Sequence, residues 1–221
     1  MTDKPSSDVA QKRATLLAKL ADASARPPTL VAASKRQSDE RIDAALAAGH
    51  RVFGENRVQE AQSRWAERRT QYPDLELRLI GPLQTNKAED AVTLFDVIET
   101  VDRPKLARAL AKACEKLDRR PGLLIQVNTG DEPQKAGVSV TDLPALIQLC
   151  RQELALPVIG LMCIPPADEP AGPHFAFLAK LADRHGLQQR SMGMSGDFET
   201  AAGFGATHVR VGTAFFGERE H

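Results

Sequence analysis

A lysine stands at the end of a short apolar segment near the N-terminus, in a position where its amine can react. Lys35 follows the apolar run 30–33, and a lysine amine is a nucleophile that adds to carbonyl groups. Far downstream, Ser195, Gly212 and Thr213 follow two further apolar segments. Hydroxyl groups and glycine backbone N–H groups at strand ends are suited to binding a phosphate. Together these residues predict a small ligand that carries an aldehyde and a phosphate ester.

The elements that must position these residues follow a regular order, in which apolar segments of strand length alternate with amphipathic helical segments. Eight segments have the length and composition of strands. They are residues 29–34, 51–54, 76–80, 96–99, 123–128, 158–164, 189–194 and 208–212. An additional helix is predicted over residues 9–23, because Val9, Leu16, Leu17 and Leu20 fall on one helical stripe.

Eight strands with intervening helices form either a closed (β/α)8 barrel or an open doubly wound sheet. The GxGxxG fingerprint of dinucleotide-binding sheets does not follow the first strand. The candidate ligand residues follow strands one, seven and eight, and strands one and eight are neighbours only in a closed barrel. Such barrels often bind phosphate in the loops after strands seven and eight. We therefore predict an α/β fold, a (β/α)8 TIM barrel with an extra N-terminal helix.

Length, composition and charge limit the number of domains and the kinds of molecule that the protein binds. The chain has 221 residues, of which 42% are hydrophobic, so we expect a single domain over residues 1–221. Basic and acidic residues number 29 each and give a net charge of +0, which argues against nucleic acid and anionic membranes as partners. With no secretory or membrane-spanning segment in the sequence, we expect a cytoplasmic protein, and we expect a monomer. The three cysteines indicate reduced thiols, and no metal site is expected.

Arg210 lies on the eighth predicted strand, where the two-residue period turns His208, Arg210 and Gly212 towards the barrel interior. A guanidinium group in that position needs a partner. Two interpretations are open, since Arg210 either contacts the ligand or forms a salt bridge with an inward acid such as Glu55 or Glu99.

Each of the other candidates also has an ordinary interpretation when it is taken alone. Lys35 would be a solvated lysine at a strand end, Ser195 a helix cap and Gly212 a turn residue. The binding-site interpretation depends on their convergence at one rim of the barrel.

Nine short motifs resemble those of the pyridoxal phosphate homeostasis protein family, whose fold is similar to the N-terminal barrel of alanine racemases. They occur in order over nearly the whole chain. The motifs are residues 31–35, 53–56, 80–87, 101–103, 125–128, 135–137, 160–162, 192–195 and 209–217. The resemblance implies that the cofactor is pyridoxal 5′-phosphate (PLP) and that Lys35 forms a Schiff base with it.

The same resemblance implies roles for five further residues. Ser195, Gly212 and Thr213 would hold the phosphate of PLP. Arg210 would face the pyridine nitrogen, and Asn56 would lie near the ring.

The sequence departs from the family pattern at two places. Arg78 stands where the family commonly has a histidine, and the segment 165–173 looks shortened and rich in proline. Lys87 and Lys135 also lie in matching motifs. They are candidates for receiving the cofactor during transfer or for holding a second copy of it, although a solvated or salt-bridged lysine is the simpler interpretation of both.

The chemistry favours a cofactor carrier over an enzyme. PLP stabilises carbanions strongly when its ring nitrogen is protonated, whereas a guanidinium such as Arg210 only donates to that nitrogen. Racemases with this arrangement use a tyrosine from an additional C-terminal domain. Here we expect no such domain after the eighth strand, and the only tyrosine, Tyr72, lies in a polar segment.

We therefore expect a PLP carrier that maintains intracellular PLP without robust catalysis and meets apo PLP-dependent enzymes transiently. Two alternatives stay open. One is a PLP-dependent amino-acid racemase, which needs a second base. The other is a Schiff-base aldolase that acts on sugar phosphates.

Overall fold

Eight parallel strands close into a barrel in which each strand pairs with the next and the last pairs with the first. The computed structural model describes residues 4–217, with side chains from residue 7 onward. The strands are β1 (Thr29–Ala33), β2 (Val52–Glu55), β3 (Glu76–Leu79), β4 (Val97–Val101), β5 (Gly122–Gln126), β6 (Val158–Met162), β7 (Gln189–Ser191) and β8 (His208–Val211).

Helices connect successive strands and surround the barrel. They are α1 (Lys4–Ala23), α2 (Asp39–Ala47), α3 (Val58–Gln71), α4 (Ala88–Leu94), α5 (Pro104–Leu117), α6 (Leu143–Gln148), α7 (Ala171–Arg184), α8 (Phe198–Gly203) and α9 (Thr213–Phe216). A short 3₁₀ turn, Thr85–Lys87, precedes α4, and a π-helical turn, Leu149–Glu153, extends α6.

All eight strands lie where the sequence predicts them, which confirms the (β/α)8 barrel. The largest difference is at β7, which ends at Ser191 although the apolar pattern continues to residue 194. The chain leaves the sheet there because residues 192–194 form the loop at the barrel rim. Backbone hydrogen bonding to β8 continues past the end of the strand, since the N–H of Met192 donates to the carbonyl oxygen of His208 at 3.1 Å. Met192 and Gly193 are therefore buried beyond β7, which the apolar pattern reflects.

The apolar residues form two separate cores. The larger core lies between the barrel and its helices, and it includes outward residues of β8 such as Val209 and Val211. A small second cluster of Val97, Leu124 and Met162 fills part of the barrel interior. The two-residue period of the strands separates the cores, as expected for a closed barrel.

The extra N-terminal helix is present and packs against α2, α8 and α9. Val9, Leu16 and Leu20 are buried on the predicted stripe, whereas Leu17 is 37% exposed. Helix α1 therefore joins the beginning of the chain to the helices that follow β7 and β8, next to the predicted phosphate loops.

Two further properties concern the described residues. No helix within residues 4–217 has both the length and the apolar character that crossing a membrane requires. All three cysteines are buried and free of disulfides.

Candidate cofactor-binding site

Lys35 and Asn56 lie side by side at the rim formed by the C-terminal strand ends. Lys35 is two residues beyond β1 and Asn56 directly follows β2, and the pairing of Ala33 with Gly54 places both at one level. A cleft of about 240 Å³ opens between them. It is lined by Lys35, Arg36, Asn56, Arg57 and Glu60. Lys35 is half-buried, and within residues 4–217 its amine has no hydrogen-bond acceptor and no anionic partner. The amine is therefore available to a ligand in the cleft.

A tight turn from Ser34 to Gln37 carries Lys35. The N–H of Gln37 donates to the carbonyl oxygen of Ser34 at 3.1 Å and closes the turn. Arg36 has a φ of 57°, a left-handed conformation that costs a residue other than glycine about 1–2 kcal/mol. The hydroxyl of Ser34 donates to Oε1 of Glu55 at 2.8 Å. This hydrogen bond attaches the start of the turn to Glu55, whose side chain faces the layer of helices around the barrel.

Gly81, in the loop after β3, lies directly against the backbone of Asn56. A Cβ atom at position 81 would lie 2.3 Å from the carbonyl oxygen of Asn56, so only glycine allows this close approach. The hydroxyl of Thr100 donates to the carbonyl oxygen of Gly81 at 2.8 Å and fixes that loop in turn.

Ser195, Gly212 and Thr213 meet at the same rim, in the loops after β7 and β8. The N–H of Ala214 donates to Oγ of Ser195 at 3.3 Å and joins the two loops. Gly212 borders β1, where a Cβ atom on it would lie 3.5 Å from a backbone oxygen of that strand. Thr213 is exposed, and the other two residues are half-buried. The structure thus brings the predicted phosphate residues beside the strand end that carries Lys35.

Gly193 determines the path of the loop that ends in Ser195. It has a φ of 95°, and a Cβ atom there would lie 2.5 Å from Cβ of Ala201 on α8. Its carbonyl oxygen accepts a hydrogen bond from the N–H of Arg210 at 2.9 Å. The loop and β8 are therefore fixed relative to each other.

Arg210 lies inside the barrel, as the strand period predicts. Its guanidinium group donates to Oγ of Ser191 at 2.7 Å and to the carbonyl oxygen of Cys163 at 2.8 Å. A carboxylate oxygen of Glu99 is 3.9 Å from the guanidinium, so the salt bridge with Glu99 is present. Glu55 instead faces the outer layer, where an indole N–H of α3 donates to it at 2.9 Å.

Glu99 is fully buried next to two arginines. Nε of Arg78 donates to its Oε1 at 2.5 Å, and Oγ of Ser191 donates to its Oε2 at 2.5 Å. Burial is the largest influence and raises the pKa of Glu99. The charges of Arg78 and Arg210, together with the hydrogen bonds, outweigh burial and bring that pKa below its usual value. Glu99 is therefore ionised and neutralises one of two buried cations.

Sequence reasoning missed Ser191 as part of this network. Ser191 links Arg210 to Glu99, and its hydroxyl is fully buried. The inward period of β7 contains the signal, because Gln189 and Ser191 are the inward residues of that strand. A serine on a short strand is nevertheless too common for its partner to be recognised without the fold.

Arg78 lies in the barrel interior, on the side of Glu99 that faces away from Arg210 and the rim. Besides Glu99, it donates to Oε1 of Glu76 at 2.5 Å and to Oε1 of Gln189 at 3.0 Å. Burial is the largest influence and lowers the pKa of Arg78, but Glu99 and Glu76 outweigh it and raise that pKa. Since Glu76 and Gln189 begin their strands, Arg78 lies towards the end of the barrel away from Lys35.

Lys87 and Lys135 each form a local ion pair. Nζ of Lys87 is 3.3 Å from Asp90, and Nζ of Lys135 is 2.7 Å from Glu132. Both pairs join residues three positions apart. The salt-bridged interpretation of these lysines therefore matches their surroundings.

Comparisons with known proteins agree with this geometry. A sequence profile of the alanine racemase N-terminal domain matches residues 16–220. A pyridoxal phosphate homeostasis protein of Pseudomonas aeruginosa is 40% identical over 95% of this chain and 94% of its own length. The structure of PipY from Synechococcus elongatus with PLP bound has a TM-score of 0.83 and 40% identity, over 95% of this chain and 100% of that chain. An alanine racemase of Corynebacterium glutamicum shares the fold, with a TM-score of 0.70 and 18% identity, over 98% of this chain and 62% of its own.

The closed barrel, the lysine after β1 and the hydroxyl residues after β7 and β8 define a barrel of the alanine racemase N-terminal type. The chain belongs to the alanine racemase N-terminal domain family and, within it, to the pyridoxal phosphate homeostasis proteins. This membership confirms the resemblance that the nine sequence motifs indicate.

We predict that Glu99→Gln lowers the free energy of unfolding by about 3–5 kcal/mol, because it leaves the buried cations Arg78 and Arg210 without their shared anion. Urea unfolding at pH 7 measures the effect. Glu89→Gln is the control, since it breaks a surface pair with Lys116 at 2.7 Å and should cost about 1 kcal/mol or less. Equal losses of unfolding free energy in the two variants would show that the ion pairs of Glu99 stabilise the fold no more than a surface pair does.

A second prediction concerns acid sensitivity. Burial, followed by the charge of Arg78, lowers the pKa of His208 to about 4, from 6.5. Between these values the unfolded chain binds a proton at this site and the folded chain does not, so stability falls as the pH decreases from 6.5 towards 4. His208→Asn should reduce this pH slope by at most about 1.4 kcal/mol per pH unit, measured by urea unfolding from pH 7 to pH 5. A stability difference that stays constant over this range would contradict the assignment.

Proposed function

We propose that this protein binds PLP covalently through Lys35 and carries it as part of cellular PLP homeostasis. The observation that carries the proposal is the amine of Lys35, which has no partner among residues 4–217, at the rim where the loops after β7 and β8 place two hydroxyl groups and a glycine. The relative from P. aeruginosa is named for PLP homeostasis, and PipY binds PLP on the same fold. An amine, hydroxyl groups and backbone N–H groups are the donors that an aldehyde-bearing phosphate ester requires.

Each proposed site residue has a separate task. The Lys35 amine forms a C=N bond to the aldehyde carbon and the aldehyde oxygen leaves as water, so hydrolysis reverses the attachment. Ser195 and Thr213 hold phosphate oxygens through their hydroxyl groups, and Gly212 does so through its backbone N–H. Asn56 borders the ring in the Lys35 cleft.

Arg210 donates to the pyridine nitrogen in this proposal. When bound, PLP supplies an electron-accepting ring, and that property is strongest when the nitrogen is protonated. A guanidinium has no acceptor atom and stays charged, so it disfavours the protonated ring. Glu99 and Ser191 hold Arg210 in place, which keeps this donor inside the barrel.

The same arrangement supports carriage rather than turnover. A racemase needs positioned proton-transfer groups, each of which contributes a factor of about 10² to 10⁴. The only tyrosine in the sequence, Tyr72, ends α3 just before β3 begins. It therefore lies at the end of the barrel opposite the rim of Lys35, where it stacks under the guanidinium of Arg51 at 4.7 Å.

The proposal extends to the setting of the protein. We place it in the cytoplasm as a monomer, with one domain over residues 1–221. It releases PLP to apo PLP-dependent enzymes in transient contacts. Reversible attachment at an open rim suits such release, because the adduct is accessible from outside.

We predict that Lys35→Ala abolishes the absorbance of the protein–PLP adduct, which forms when PLP is added to the purified protein, because the nucleophile is lost. Absorbance titration with PLP measures this. Lys87→Ala and Lys135→Ala are matched controls, and both should keep the absorbance since their amines are ion-paired.

Circular dichroism should show the same fold in all three variants. Absorbance that persists in Lys35→Ala would contradict the assignment of the lysine. A wild-type protein that stays colourless with PLP would instead favour an aldolase.

A further inference from the structure

Arg64 reaches from α3 to both ends of the turn that carries Lys35. Its NH1 donates to the carbonyl oxygen of Ser34 at 3.1 Å, and its NH2 donates to the carbonyl oxygen of Gln37 at 3.2 Å. NH1 also pairs with Oε1 of Glu55 at 3.0 Å. One guanidinium group therefore holds the residue before Lys35 and the residue that closes the turn.

This geometry requires an arginine. The guanidinium group is a rigid planar fork whose two ends serve separate acceptors, whereas a lysine presents a single ammonium. Nothing else in the fold joins the two carbonyl oxygens, among the contacts within residues 4–217. Arg64 is thus the shared support of both ends.

The turn needs that support because its backbone is strained. Arg36, the residue after Lys35, has a φ of 57° although it has a side chain. Such conformations persist only when the surrounding structure holds them. Without the fork of Arg64, the turn keeps its closing hydrogen bond from Gln37 to Ser34 but loses its attachment to α3. The strained backbone then has room to relax, and the lysine side chain would leave the rim in a different direction.

We propose that Arg64 is a positioning residue that aims the Lys35 amine at the aldehyde of the incoming cofactor. This inference rests on the proposed function, since it assumes that Lys35 is the residue that reacts. The amine attacks the carbonyl carbon along a narrow approach, and a misplacement of about 1 Å costs about 10²-fold in rate. Arg64 touches neither the aldehyde nor the amine in this role and acts through the turn alone.

The test compares two arginines of the same helix. Arg64→Met removes the fork and keeps most of the apolar side chain. Arg68→Met is the matched control, because Arg68 is 15% exposed against 16% for Arg64 and pairs with Asp39 and Asp43 of α2. The rate of adduct formation with PLP is followed by stopped-flow absorbance, and thermal unfolding is recorded for both variants.

We expect Arg64→Met to slow adduct formation about 10-fold or more, while Arg68→Met stays within about 2-fold of the wild type. The slower rate should also persist at saturating PLP, which distinguishes a misplaced Lys35 amine from weak binding of PLP. Equal rates in the two variants would overturn the inference. Since the wild type forms the adduct at Lys35 in that case, the proposed function would stand.

Arg64→Lys keeps the inference testable if Arg64→Met does not fold. It retains the positive charge beside Glu55 but serves only one of the two carbonyl oxygens. We expect a rate between those of the wild type and Arg64→Met. A wild-type rate in a folded Arg64→Lys protein would show that charge, and not the fork, is what the site requires, and would overturn the inference.

Discussion

The buried carboxylate of Glu99 is the interaction on which the rest of the candidate site depends. The barrel interior contains two guanidinium groups, and Glu99 is the acid that contacts both of them. A buried charge without a partner is far more costly than a buried pair, so this anion allows Arg78 and Arg210 to be present at all. Its hydrogen bonds tie β4 to β3 and β7, and through Ser191 to β8. The network therefore fixes the positions of these strands and of the two arginines more than it adds to the free energy of unfolding.

The barrel separates three tasks by layer. Arg210 and its partners occupy the interior, and the rim carries Lys35 with the residues proposed to hold the phosphate. On the outer side of the barrel, the side chains of Glu55 from β2 and Arg64 from α3 hold the turn of Lys35. Closure makes this possible because β8 pairs with β1, so a residue near the N-terminus and residues near the C-terminus share one rim. In an open sheet these strand ends would be far apart.

The sequence alone predicted the parts of the site that depend on strand order and on the two-residue period. The position of Lys35 at the end of β1, the rim location of Ser195, Gly212 and Thr213, and the inward side of Arg210 all follow from these two rules. The choice between Glu55 and Glu99 did not follow. Both acids lie on strands of ambiguous phase, and β4 contains a register shift between Ile98 and Val101. A shift of one residue exchanges the inward and outward faces.

Contacts between residues that are far apart in the sequence could also not be predicted from it. Arg64 is 30 positions from the carbonyl oxygen of Ser34 that it holds, and Ser191 is 92 positions from Glu99. Such pairs depend on the packing angle of a helix or on the pairing of strands that are remote in sequence. Local patterns indicate only that α3 has a buried face and that β7 has an inward side.

Covalent attachment of PLP to Lys35 is tested by reducing the PLP-loaded protein with borohydride and locating the adduct by peptide mass mapping. Reduction makes the bond between the amine and the cofactor permanent. We expect one pyridoxyl group per chain, on the peptide that contains Lys35. A pyridoxyl group confined to another lysine, or no adduct at all, would contradict it.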